Sequence, residues 1–82
     1  MKIEAGTDLG KRTKVFDAIG RKIRMITSYD TDTKEATFIP SFVDEKGKER
    51  SIVVKENGRN TVLKITKVLE GSYAEVDGKR IQ

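Results

Sequence analysis

A chain of 82 residues is long enough for one domain and too short for two, and at this size only about 60 to 65% of the unfolded surface is buried, so the core must be thin. It has neither Cys nor His, which excludes a disulfide framework, a thiolate metal site, and the usual zinc ligand and proton shuttle. Lys and Arg number 17 against 13 Asp and Glu, yet the first 27 residues hold seven basic groups against three acidic while the other 55 hold ten of each, so attraction to an anionic partner is expected to work through the first third.

In chain order, the first dozen residues carry Gly6, Gly10 and only scattered apolar side chains, Ile3 and Leu9. They cannot bury enough surface to order themselves, and residues 1–12 read as an extended or flexible N-terminal arm ahead of a single β-rich domain over 13–82. That body contains most of the eight Ile, seven Val and eight Thr, against three Leu in the whole chain; side chains branched at Cβ suit a pleated sheet better than a helix. Asp17-Ala18-Ile19-Gly20 marks a first turn, after which Ile23, Met25 and Thr27 share one face of a strand with Tyr29 at its edge. Asp30-Thr31-Asp32-Thr33 turns the chain into a strand with Ala36 and Phe38 on one face. Pro40 cannot donate to a ladder, so that strand stops there or lies at a sheet edge.

Glu45-Lys46-Gly47-Lys48 is the next turn, and Ile52 and Val54 alternate with Val53 beyond it. Asn57-Gly58 and Asp77-Gly78 suit type I′ turns, in which both central residues need positive φ, and both predict tight hairpins. Between them, residues 60–70 fit two patterns. Val62, Ile65 and Leu69 make a helical stripe with Asn60 as cap and Gly71 as stop, whereas five of the eleven residues are β-branched, which favours one long strand. After Glu70-Gly71-Ser72, Ala74 and Val76 alternate with Tyr73 and Glu75. The fold expected is mainly β: a small antiparallel sheet, sandwich or partly open barrel of about five to seven short strands.

No catalytic constellation is visible. None of the four Ser (Ser28, Ser41, Ser51, Ser72) lies in a G-x-S-x-G elbow, and Gly6-Thr7-Asp8-Leu9-Gly10-Lys11-Arg12 lacks the spacing of a phosphate loop. The chain is read as a non-enzyme with no cofactor. Asp30, Asp32 and Glu35 resemble part of a calcium loop, but Lys34 stands where a third ligand belongs and the turn has no Gly, so a solvated turn with Asp side chains bonding their own backbone is the preferred reading. No apolar run approaches the roughly 20 residues needed to cross a bilayer, and Met1-Lys2-Ile3-Glu4 has no secretion-signal character, so a cytosolic protein without a membrane role is expected.

The segment Lys11 to Arg24 holds six cations and one acid. Lys11, Arg12, Lys14, Arg21, Lys22 and Arg24 are the candidate contacts to nucleic-acid phosphates or an acidic protein surface, the plain alternative being a solvated face. Phe16 and Tyr29 are candidate interface anchors, although a core this thin also needs the ring of Phe16.

Val15-Phe16-Asp17-Ala18-Ile19-Gly20-Arg21-Lys22-Ile23 together with Ser28-Tyr29-Asp30-Thr31-Asp32-Thr33-Lys34-Glu35 resembles a pattern in small proteins encoded by tailed bacteriophages. There, a strand ends in an acid-x-x-Gly turn, a second strand follows, and an Asp-Thr-x-Thr-Gly-Glu turn leads to a third. The chain departs from it at Lys34, where Gly is usual. The resemblance implies a viral setting, in the host cytoplasm or the virion. Three roles are then open: a capsid- or tail-associated structural or accessory protein whose partners are other virion subunits or further copies of itself, a small basic β-barrel that binds nucleic acid, and a phage-encoded inhibitor of a host defence protein.

Overall fold

The computed structural model describes residues 1–81, which form twelve short strands and one helical turn. Eight strands build two four-stranded antiparallel sheets. Sheet I has the order β1-β4-β5-β10, from Lys2–Glu4, Ile26–Asp30, Glu35–Phe38 and Ile65–Val68. Sheet II has the order β12-β11-β2-β3, from Lys79–Ile81, Tyr73–Val76, Thr13–Phe16 and Lys22–Ile23. The remaining four form two separate hairpins between β5 and β10: β6 (Ser41–Val43) with β7 (Glu49–Ser51), and β8 (Val53–Glu56) with β9 (Arg59–Val62).

The two large sheets face each other because each carries one inward row. In sheet I, Ile3, Tyr29 and Ala36 are cross-strand neighbours; in sheet II, Ile81, Ala74, Val15 and Ile23 are. Tyr29, Ala36, Val15 and Ala74 meet in one buried cluster, with Ile23, Ile26, Leu69 and Ile81 packed against it. The single large ring sits among small partners. Its hydroxyl lies 2.8 Å from Ser72 Oγ, which in turn donates to the Leu69 carbonyl at 2.5 Å. Tyr29 and Ser72 are each 1% exposed, and among the described residues no buried side-chain polar atom lacks a partner.

The chain passes between the sheets three times, from β1 to β2 through residues 5–12 and at two tighter corners. Arg24 and Met25 join β3 to β4, with Met25 in the left-handed region (φ 61°) and a register irregularity following between Ile26 and Ser28. Leu69 to Ser72 join β10 to β11. Here Gly71 has φ 77°, and a Cβ on it would come within 2.7 Å of the Ala18 Cβ, so both the conformation and the contact call for glycine.

Residues 1–12 do not form an extended arm. Ile3 is 4% exposed and pairs with Tyr29; Asp8–Lys11 form a helical turn, α1, in which the Thr7 side chain accepts from the Gly10 N–H at 3.0 Å. A Cβ on Gly10 would lie 1.9 Å from the Glu4 carbonyl oxygen, so this glycine permits close packing of α1 on β1. One inward residue in a three-residue strand is too short a pattern to recognise.

Residues 60–70 are extended, but not as one strand: β9 pairs with β8, β10 pairs with β5, and the break falls at Leu63 and Lys64. Both type I′ hairpins form, with Asn57 at φ 52° and Asp77 at φ 51° followed by left-handed glycines. β5 ends at Phe38, short of Pro40. The turn spacing predicts fewer strands because it does not reveal the β3–β4 corner and the 63–64 break, each of which cuts an extended run in two.

The Tyr29 hydroxyl can be removed while the ring is kept. Tyr29→Phe is expected to lower unfolding free energy by about 1 kcal/mol, as for one net buried hydrogen bond, with an unchanged far-ultraviolet spectrum, read by urea denaturation. Lys34 is the reverse case: at φ 64° its Cβ costs about 1 to 2 kcal/mol, more than the roughly 0.5 to 1 kcal/mol of extra unfolded-state entropy that glycine brings. Lys34→Gly should therefore raise stability by about 0.5 to 1 kcal/mol in the same assay.

Candidate functional site

Three Asp-based turns set the surface around the sheets. Asp17 and Asp44 open the same device. The N–H of Gly20 or Gly47 donates to the Asp carbonyl at 3.0 Å in each, and the Asp N–H donates to Arg21 or Lys48. One carboxylate oxygen also accepts two backbone N–H groups, those of Ile19 and Arg21 at Asp17 and of Lys46 and Lys48 at Asp44. The second oxygen takes an arginine: Arg21 Nε at 2.9 Å from Asp17, and Arg50 Nε at 2.5 Å from Asp44. Asp30 accepts from Asp32 N–H and Thr33 N–H, so the first carboxylate of the calcium-like fragment is engaged by its own turn. No three metal-ligating side chains cluster among the described residues.

The six candidate cations divide by residue type. Arg12 Nε lies 2.9 Å from Asp77, with a second contact from Nη2. Arg21 holds Asp17, and Arg24 Nη1 lies 3.0 Å from Glu49 at the base of the first hairpin. All three arginines are thus paired with carboxylates. Lys11 ends α1, and Lys14 and Lys22 lie on sheet II. None of the three lysines has an ion-pair partner among the described residues.

Because Val15, Ala74, Ile23 and Ile81 point into the core, the alternating residues of sheet II share its outer face. These are Lys14, Phe16, Lys22, Tyr73, Glu75 and Arg80. Phe16 stands opposite both Tyr73 and Lys22, and Glu75 opposite both Lys14 and Arg80. The Phe16 and Tyr73 rings stack with centroids 5.4 Å apart and planes 20° apart. The Arg80 guanidinium covers Tyr73, 4.3 Å from its centroid.

Phe16 is accordingly half-buried on the outer face and not a core residue. Tyr29, read as an anchor, is fully buried and cannot contact a partner. Tyr73, Glu75 and Arg80 were missed. The two-residue Asp77-Gly78 turn already sets Glu75 opposite Arg80, but nothing in the sequence pairs β11 with β2.

The mid-chain hairpins carry exposed apolar side chains. Between β5 and β10, Phe42, Val43, Ile52, Val53 and Val62 are all exposed, Val43 to 68% and Val53 to 62%, and Ile65 and Val68 are exposed on edge strand β10. No residue of β6, β7, β8 or β9 is buried. These hairpins draw the molecule out to 39 × 30 × 24 Å with a radius of gyration of 14.0 Å, against about 12 Å for a compact chain of this length. An open cleft of about 270 Å³ lies between the sheets, with Ile3, Val15, Ile23, Ile26 and Tyr29 among its lining and Lys22 and Arg24 beside them. It is smaller than the roughly 300 to 1,000 Å³ of sites that enclose an organic ligand, and its apolar lining is the core itself.

No protein family, curated protein or solved structure matches the chain. No helix among the described residues is long and apolar enough to cross a membrane.

The carboxylates at the turns set an acid limit. Asp17 and Asp30 are held below their ordinary value of 3.8 chiefly by backbone N–H groups, and Asp44 and Asp77 chiefly by hydrogen bonds from Arg50 and Arg12. Since each is lower in the folded state, its contribution is complete above 3.8 and disappears as pH falls through the folded values. The urea midpoint is therefore expected to be level from pH 7 down to about 5 and to drop below about 4. Asp44→Asn should flatten part of that drop.

Proposed function

We propose that this is a non-enzymatic assembly protein of a bacteriophage particle, capsid- or tail-associated, whose mid-chain hairpins (residues 39–64) dock on a second copy of the chain. One observation carries the reading: two consecutive hairpins with their apolar side chains in water and no core beneath them. A lone two-stranded hairpin is at best marginally stable in water, and apolar clusters of this kind mark interaction surfaces.

Charge favours self-association. Residues 39–64 carry six basic and four acidic groups, interleaved, so the surface has no strong sign that would select an oppositely charged partner, whereas a two-fold contact can set each patch against its own complement. The unpaired edge of β10 lies beside it and can be extended by a neighbouring strand. Arg24 on Glu49, and the Ile39 N–H on the Met25 carbonyl at 3.0 Å, fix where the hairpins leave the body. The phage setting rests on the resemblance of residues 15–35 to small phage proteins.

Light scattering coupled to size-exclusion chromatography is expected to show an oligomer at micromolar concentration. Phe42→Ser, Val43→Ser and Val53→Ser together should give a folded monomer, because exposed positions change stability by about 0.5 kcal/mol or less each. A wild-type protein that is monomeric at high concentration would sink the proposal.

A further inference from the structure

The mid-chain hairpins leave the outer face of sheet II unused, and its chemistry differs from theirs. We infer that this face binds single-stranded nucleic acid, with Phe16 as a stacking platform and Lys14, Lys22 and Arg80 as phosphate contacts. Four observations combine. The face is built from four adjacent strands. Its two aromatic rings stand stacked across β2 and β11, half-exposed on an outer face where a globular core has no use for them. Three cations surround the rings, none held by a carboxylate within 4 Å. The arginines of the same basic segment are engaged in structural pairs, which leaves its lysines as the mobile charges.

The geometry also says which ring face can accept a base. Tyr73 is covered on one side by Phe16 and on the other by Arg80. Phe16 stacks on Tyr73 on one side, and its other side looks toward β3, where Lys22 occupies the register position directly opposite. A base entering there would extend the row Arg80, Tyr73, Phe16 by one more plane. Lys22 and Lys14 then lie on two sides of it, about 8 Å apart along the sheet surface from strand spacing and rise. Base stacking on an aromatic ring is tolerant of sequence, and lysine grips phosphate as a point charge without geometric selection. A duplex is disfavoured because its bases are stacked on each other and offer no free face. An acidic protein surface would satisfy the lysines but has no need of the paired rings. Glu75, between Lys14 and Arg80 in the register, opposes any polyanion.

The site is tested by fluorescence anisotropy with a labelled oligothymidylate of about 12 nucleotides, a length within the span of small single-strand binding domains. With three phosphates neutralised, affinity should fall about 20-fold between roughly 50 and 200 mM salt. Lys14→Ala with Lys22→Ala should weaken binding and reduce the salt slope to about one third. Phe16→Leu, which keeps an apolar side chain on the sheet, should cost at least about fivefold. Glu75→Gln should tighten binding about threefold, the effect of one unit charge some 6 Å away in water; a purely structural role for Glu75 predicts no such gain. The hairpin triple variant should bind as the wild type does, so a failure of self-association and a failure of this site are separately visible. A flat salt response overturns the inference. So does polyglutamate binding as tightly as the oligonucleotide with Phe16→Leu without effect, which would leave only an unspecific anion surface, and so does loss of binding in the hairpin variant.

Discussion

The Tyr29 side chain holds the two sheets together. It is the only large ring in a cluster otherwise made of Val15, Ala36 and Ala74, and its hydroxyl reaches across to Ser72 at the entrance to β11. The two alanines leave the volume that the ring fills, and at native packing density that fit is sensitive to the size of every neighbour. The polar end must be satisfied at the same time, because a buried hydroxyl without a partner costs more than its bond contributes when made. Ser72 does this while also holding the Leu69 carbonyl, and so fixes the corner through which the chain passes from sheet I to sheet II. One residue thereby sets both the spacing of the sheets and the path of their connection.

A core this small leaves the surface to be organised by local devices. Asp17, Asp30 and Asp44 each bind two backbone N–H groups of the turn they open, and arginines complete two of those turns. Single exposed ion pairs contribute little, about 0 to 1 kcal/mol. Their effect here is geometric: Arg12 ties the end of α1 to the β11–β12 turn, where the Asp77 N–H also donates to the Arg12 carbonyl, and Arg24 ties the hairpins to the β3–β4 corner. The planar guanidinium fork is suited to such fixed pairing and the lysine ammonium is not, which gives a physical reason for the division of the basic segment into structural arginines and unpaired lysines.

What could be read beforehand follows the range of the interaction. The Asn57-Gly58 and Asp77-Gly78 turns, the alternation around Ala36 and Ala74, and the antiparallel β class are local, and all are present. Lys34 illustrates a local departure with a structural meaning, since it occupies a left-handed position in which the phage-like pattern carries glycine. The pairing of β1 with β4 and of β2 with β11 is not local. It joins Ile3 to Tyr29 and Phe16 to Tyr73, and no dipeptide announces it. Local pattern therefore presents the inner-row strand β1 as an arm and Tyr29 as an anchor, and it does not mark Arg80 or Tyr73 as contacts. The segment without a core beneath it lies in the middle of the chain, where turn signals describe hairpins without saying that nothing packs under them.

The two surfaces separate for the same reason that the core is thin. Inward rows of three and four residues use up the residues the two sheets can bury, so the apolar side chains of residues 41–62 have no interior left to enter. On the assembly reading proposed above, a further copy of the chain covers them. The outer face of sheet II has the opposite constraint: it is backed by the core and needs no cover, so its rings and lysines are free to meet a ligand. Apolar patches that must be covered favour a contact that stays formed, while a charged, solvated face favours one that forms and releases with salt. The two proposed contacts, one with a further copy of the chain and one with a polyanion, draw on different residues, so neither competes with the other.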